Sequence, residues 1–313
     1  MSRVIILLSD KRSGSTMFQD EFCRHPDVQT VPYTPHTYLE THWWLMAAVL
    51  LDRPHSLFVS NSVYSGYGSA RNARAYMLDL LEKCAPDFRV PEDNRALVFD
   101  GWDALCRAYA RPAFFEKSPQ HLAQWASLSL MLEWMEGTDF DVKIIGLVRN
   151  PHGALYSASK LFGTDPQSRQ FAWMKGGLNL LALEKILGPD VLMRVRYEDI
   201  VENPKDTFAQ ILRFCGLVQD PSVGMGTEGG SLEKWMIDPA YCVRLDPSVT
   251  QVARSLGYGS ESLSNDKVLS AVGEEATAGE TRRKGIRLWL NRRRDRFVQP
   301  MLLRLRAALR GWG

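Results

Sequence analysis

Lys11-Arg12-Ser13-Gly14-Ser15-Thr16 gathers two cations, three hydroxyls and one glycine into six consecutive residues. Such a run can wrap an anion. Ammonium and guanidinium groups supply charge, hydroxyls donate, and a glycine lets the backbone come close. Arg149 and Ser157 form a second pair of the same kind. Eight residues on a helix turn through ~800°, so the two share roughly one face, and a guanidinium fork with a hydroxyl can hold a phosphate monoester. A third group is different in kind: Glu40 and His42, with His36 nearby, can take a proton from a hydroxyl. Lys117 adds a further cation beside Glu116.

The elements that must position these residues are legible from the apolar pattern. Val4 to Leu8 is an unbroken apolar run, long enough for one buried strand. Thr16 to Cys23 reads as a helix with Met17, Phe18 and Phe22 toward a sheet. Strand, basic turn and helix N-terminus make an anion site, because free N–H groups and the positive helix end face the turn. The G-x-x-x-x-G-K-[ST] phosphate loop is absent: one glycine stands here, with no lysine after it.

Further along, Thr37 to Leu51 reads as an apolar helix, and Arg71 to Cys84 and Asp103 to Arg111 as two more. Ala113 to Gln120 is a strand ending at Pro119, and His121 to Met135 a helix. Val142 to Val148 is a second fully apolar strand, followed by Arg149-Asn-Pro151 and a helix through Leu161. A helix over Phe171 to Leu187, a strand over Val191 to Arg196 and a helix over Pro204 to Cys215 complete the alternation. The pattern predicts an α/β fold, a parallel sheet flanked by helices. Ligands of such sheets sit beyond the carboxyl ends of the strands. Arg12, Lys117, Arg149 and Tyr197 all stand at or just past predicted strand ends.

Arg12-Ser13-Gly14-Ser15-Thr16 resembles the 5′-phosphosulfate loop of sulfotransferases, which use 3′-phosphoadenosine 5′-phosphosulfate (PAPS). The strand, Arg149-Asn-Pro and Ser157 are similar to that family's 3′-phosphate site. Tyr197-Glu-Asp-Ile-Val-Glu-Asn-Pro204 resembles its Y-E-D-[LI]-x-x-[DN]-P element, and Asp246 to Tyr258 its closing segment. The resemblance spans residues 3 to about 258, lying nearer the carbohydrate, tyrosylprotein and bacterial branches than the cytosolic small-molecule branch. It implies a P-loop-like sulfotransferase fold and sulfuryl transfer from PAPS, with no metal, to an acceptor hydroxyl of a glycan or glycolipid.

The resemblance also implies roles. Lys11 to Thr16, Arg149, Ser157 and Tyr197 bind the nucleotide, with Arg12 on the leaving group. Leu39-Glu-Thr-His-Trp-Trp44 matches a glycan-branch run whose Glu takes the acceptor proton, which makes Glu40 the base and leaves His36 and His42 as alternatives. Phe115-Glu-Lys-Ser-Pro119 matches an E-K-[ST]-P element whose Lys, here Lys117, approaches the sulfuryl group. Met17 stands where some relatives place a Trp beside the adenine. Gly224 to Gly230 is a candidate cover for the nucleotide, and Tyr33 to Trp44 with Asn61 to Arg74 a candidate acceptor surface. A catalytically inactive nucleotide-binding protein and an ATP-using kinase with a degenerate phosphate loop are the competing readings.

The chain has 313 residues, 45% hydrophobic and 24% charged, ordinary for a globular protein. No cluster of His, Cys and carboxylates has metal-ligand spacing. The five cysteines are scattered without a C-x-x-C, which points to thiols rather than a zinc site or disulfide framework. No signal-peptide layout or long apolar run is present, so a cytoplasmic protein is expected. The net charge of +2 conceals a division: residues 281–313 carry eleven Lys/Arg against one acidic residue, and the remainder is net −8. Residues 1–258 are therefore expected to form the enzyme domain and 259–280 a linker. Residues 281–313 form a basic amphipathic tail that docks either on an anionic membrane surface or on the acidic core. Nucleic acid is a poorer fit, because an apolar stripe runs among the arginines.

Overall fold

The structure, a computed structural model, describes residues 2–36, 38–53, 69–226 and 232–265. In chain order it runs β1 (Arg3–Ser9), α1 (Ser15–Phe22), β2 (Val28–Gln29), α2 (Trp43–Leu50), α3 (Ala70–Cys84) and α4 (Asn94–Tyr109). Then follow β3 (Ala113–Lys117), α5 (Trp125–Gly137), β4 (Asp141–Val148), α6 (Pro151–Phe162), α7 (Pro166–Leu187) and β5 (Leu192–Arg196). The described chain closes with α8 (Tyr197–Glu202), α9 (Pro204–Phe214), α10 (Lys234–Ile237), α11 (Pro247–Ser255) and α12 (Ser260–Leu263).

The five strands form one parallel sheet in the order β2-β3-β1-β4-β5. β1 is central, and Val4 to Leu8 are wholly buried. Successive side chains leave a strand on opposite faces. Val4, Ile6 and Leu8 accordingly join one apolar cluster, while Ile5 and Leu7 join the other with Phe18, Phe22, Phe208 and Ile211. On the first face Trp44 packs 5.4 Å from Trp102 and 6.0 Å from Trp134. Ring pairs of this kind add about 0.5–1.5 kcal/mol beyond the area they bury. The chain leaves β1 toward β2 and β3 on one side and later reaches β4 on the other. The crevice therefore opens beyond the carboxyl end of β1, where strand order reverses.

Four helices differ most from the expected bounds, among them α5, expected from His121 but beginning at Trp125. The helix expected over Thr37–Leu51 begins only at Trp43, because Leu39 and His42 adopt left-handed φ of 53° and 50°. The backbone N–H of His42 donates to Ser118 Oγ at 3.0 Å and that of Trp43 to Thr41 Oγ1 at 3.3 Å. These bonds stand in for the missing first turn. α4 starts at Asn94 because Asp93 caps it, accepting from the Ala96 N–H at 2.7 Å. α7 starts at Pro166, with Asp165 as cap and proline in the first turn.

At the far end Leu263 is buried and Asn150 Nδ2 donates to the Ser262 carbonyl at 2.7 Å. The first residues of the expected 259–280 linker thus pack on the core. Residues 266–313, which hold the rest of that linker and the basic tail, lie outside the described residues, as do 54–68, which include 61–68 of the acceptor loop, and 227–231 after the glycine-rich start. All five cysteines are free thiols. No helix of the described residues is long and apolar enough to cross a membrane.

Candidate active site

The first turn of the site is shaped by backbone conformation. Arg12 and Gly14 are both left-handed, with φ of 70° and 91°. At Gly14 a side chain is doubly excluded, since a Cβ would lie 2.3 Å from the Tyr197 ring. The first α1 bond runs from Phe18 N–H to the Gly14 carbonyl at 3.0 Å. The N–H groups of Ser15, Thr16 and Met17 therefore face the turn with no intrahelical partner. Ser13 Oγ is buried with no hydrogen-bond partner, a hydroxyl that a bound anion would satisfy.

β4 delivers Arg149 beside this turn. Its Nη1 donates to the Arg12 carbonyl at 3.1 Å, and its guanidinium lies 4.3 Å over the Tyr197 ring. Burial lowers its proton affinity, offset by Tyr197 and Glu198. Asn150 caps α6, and Glu198 ties the Asn150 N–H (2.9 Å) to the Tyr258 hydroxyl (2.9 Å). The Tyr-Glu-Asp element thereby clamps the loop after β4.

Arg149, Ser157, Arg12, Gly14, Thr16 and Tyr197 line one cleft of about 570 Å³. It also takes in Tyr156, Lys160 and Lys234, which the sequence reading missed. Tyr156 and Lys160 flank Ser157 on α6, so helical period alone could have flagged them; Lys234 comes from a distant element. Gly224 and Gly226 donate their N–H groups to Glu21 Oε2 at 3.2 and 3.1 Å, anchoring the start of the glycine-rich segment at the last turn of α1.

Arg12 lies on the Ser157 side of the cleft. Its Nε donates to Ser157 Oγ at 3.1 Å, and its guanidinium lies 5.8 Å from the Phe162 ring centroid. The left-handed φ at Arg12 turns the side chain to the Ser157 side of the cleft. Lys117 is the cation beside Glu40. β1 and β3 pair with Leu7 opposite Lys117, which brings the end of β3 alongside the turn. Lys117, 1% exposed, places its Nζ 3.1 Å from Glu40 Oε1 and 3.5 Å from Thr16 Oγ1.

Glu40 is the hub of the second cluster. Its Oε2 meets His42 Nε2 at 3.0 Å and His36 Nδ1 at 3.6 Å, and Tyr76 hydroxyl donates to its carbonyl at 3.3 Å. Burial would raise the Glu40 carboxyl, but the His42 hydrogen bond and the Lys117 ammonium outweigh it and hold it at about 2. Burial lowers His36 to about 4, helped by the neighbouring His42, and lowers His42 also. Lys11 is lowered by burial and by Arg169, against the pull of Glu40 and Asp10.

Glu116, unremarked in the sequence beyond its place next to Lys117, underpins this arrangement. Thr41 Oγ1 donates to Glu116 Oε1 at 2.8 Å, and Ser118 Oγ donates to the same oxygen. Those two hydroxyls are the ones that accept the His42 and Trp43 N–H groups. Burial raises the Glu116 carboxyl to about 7.

A sulfotransferase family model matches residues 5–221 of this sequence. The chain belongs to the sulfotransferase family. The sulfotransferase domain of the Synechococcus PCC 7002 olefin synthase is similar to it at 20% identity and a TM-score of 0.58, over 82% of this chain and 95% of that one. The sulfotransferase domain from the curacin biosynthetic pathway is similar at 19% identity and 0.56, over 83% and 99%. At such identities the likeness speaks to the fold. No curated protein matches the sequence. As a sulfotransferase the enzyme belongs to a family whose sulfate donor is in general PAPS and whose acceptors are in general small molecules or glycans.

Proposed function

We propose that this sulfotransferase moves a sulfuryl group from PAPS to a hydroxyl of a glycan or glycolipid acceptor, with Glu40 as general base and Lys117 as the cation at the transferred group. One observation carries the reading: Lys117 joins Glu40 to Thr16, so base, cation and phosphosulfate loop stand in one line. The residues suit the donor. Ser13 Oγ is a buried donor awaiting an acceptor, and Gly14 keeps the turn open where any Cβ would strike Tyr197. Arg149, Ser157 and Arg12 would hold the 3′-phosphate, and the Ser15 to Met17 N–H groups the 5′-phosphosulfate.

In the transfer, the acceptor oxygen forms a bond to sulfur while the bond from sulfur to the PAPS phosphate oxygen breaks, and the acceptor proton goes to Glu40. Charge spreads over the equatorial oxygens, much as in phosphoryl transfer. A carboxylate held at about 2 is a weak base. A sulfonate arriving near Thr16 would share the Lys117 ammonium, loosen its hold on Glu40 and raise the basicity of Glu40 as the donor arrives. His42 keeps the carboxylate aimed, and Tyr76 holds the Glu40 backbone carbonyl.

The test is Glu40→Gln in the full chain, with labelled PAPS and a panel of glycan and glycolipid hydroxyl acceptors. Affinity for PAP, the desulfated product of PAPS, should hold by titration calorimetry while turnover falls ~10²-fold or more, the span of a lost general base. Unchanged turnover would move the role to His36 or His42. Binding of ATP·Mg in place of PAP would return the kinase reading.

A further inference from the structure

His36, Glu40 and His42 lie too irregularly in sequence to look like a ligand set. Helical geometry over residues 37–51 would put His36 and Glu40 on one face and His42 on another. The left-handed φ of Leu39 and His42 breaks that helix and folds all three inward. His42 Nε2 stands 3.0 Å and His36 Nδ1 3.6 Å from the same oxygen, Glu40 Oε2, and the three ligand atoms lie within 4.8 Å of one another. The imidazole centroids are 4.4 Å apart. Two imidazole nitrogens and one carboxylate oxygen are the donor set of open zinc sites. Bond lengths of about 2.0–2.2 Å place tetrahedral ligands about 3.4 Å apart, close to the two contacts measured here.

We infer that His36, Glu40 and His42 form a binding site for a divalent transition-metal ion of the zinc type. The two oxygens of Glu40 are already divided in a way that permits it. Lys117 takes Oε1 at 3.1 Å, so Oε2 remains for the ion and the ammonium need not move. His36 is about one-third exposed, which gives the ion access from solvent, while His42 is fully buried. Lys117 and Lys11 repel a cation here, so the ion binds reversibly rather than as a permanent structural group. Its consequence follows from Glu40. The positive ion bound to the carboxylate lowers its basicity further, so Glu40 takes the acceptor proton less readily. Occupancy therefore inhibits sulfuryl transfer. This last step rests on the proposed role of Glu40; the binding site does not.

The probe is Co²⁺ added to the chelator-treated full chain, read by its visible ligand-field bands. One equivalent should give a four- or five-coordinate spectrum that Zn²⁺ displaces. His36→Asn should weaken Co²⁺ binding by at least the ~10–100-fold that losing an outer partner alone costs, and Glu40→Gln should do the same, whereas His25→Asn should leave it unchanged. X-ray absorption of the zinc-loaded chain should show two imidazoles and a carboxylate oxygen. Bands that persist in His36→Asn, or no band at millimolar Co²⁺, overturn the site. Transfer that proceeds unchanged at saturating Zn²⁺ overturns the inhibition. A chain with intact Co²⁺ bands and no transfer under any condition would refute the transferase assignment and leave the metal site standing.

Discussion

Replacing Glu116 by Gln should stabilise the protein much more at pH 8 than at pH 5. Glu116 is 2% exposed, and burial lifts its carboxyl from the ordinary 4.5 to about 7, with Glu40 adding repulsion and Lys117, Thr41 and Ser118 opposing. Below about pH 4.5 the group is protonated in both folded and unfolded chains and contributes no pH dependence. Between 4.5 and 7 the folded chain keeps a proton that the unfolded chain has lost, so stability falls as pH rises. Above 7 both are ionised and the loss levels off. The shift corresponds to about 3 kcal/mol, most of it falling between pH 5 and 8. Gln keeps a carbonyl oxygen for Thr41 and Ser118 and has no charge to bury. Glu40, held at about 2, titrates below this window and cancels from the difference. His121, which burial holds at about 3 and whose Nδ1 lies 3.8 Å from Glu116 Oε2, also stays out of it. Reversible urea unfolding of both chains at pH 5, 6, 7 and 8 measures the effect. Curves that stay parallel within ~0.5 kcal/mol would refute the buried-acid reasoning.

Arg149→Ala should weaken PAP binding by about 1.5–3 kcal/mol, the worth of a hydrogen bond to a charged group; an unchanged affinity by calorimetry removes Arg149 from the 3′-phosphate. Because Arg12 points to Ser157, Arg12→Ala should raise the PAP dissociation constant more than it lowers turnover, and Lys117→Met should do the reverse in steady-state assays. Gly14→Ala forces a Cβ against Tyr197 in a left-handed turn, so PAP binding should be lost and the melting temperature lowered; wild-type affinity would show that the turn can relax. The full chain should co-sediment with anionic vesicles at low salt and a chain ending at Gly279 should not; equal recovery of both would return the basic tail to the acidic core.

The loop and helix start proposed to hold the nucleotide were legible because they are written locally. A buried strand, a turn with one glycine and a helix N-terminus follow each other without interruption, and the Arg-Asn-Pro start of α6 repeats the device after β4. The local chain also marked Glu40 and Lys117 as residues of interest. Side-chain direction was another matter. That Arg12 turns to Ser157 depends on a left-handed φ no composition reveals, and that Lys117 takes the place beside Glu40 depends on the register of β1 against β3. The break of the helix before Trp43 likewise required the Glu116 carboxylate and the Ser118 hydroxyl at the end of β3, 75 and 76 residues away. Sequence patterns report periodicity and propensity, which act over a few residues. The meeting of His36, Glu40 and His42, and the burial that raises the Glu116 carboxyl, arise from contacts made only once the sheet has closed.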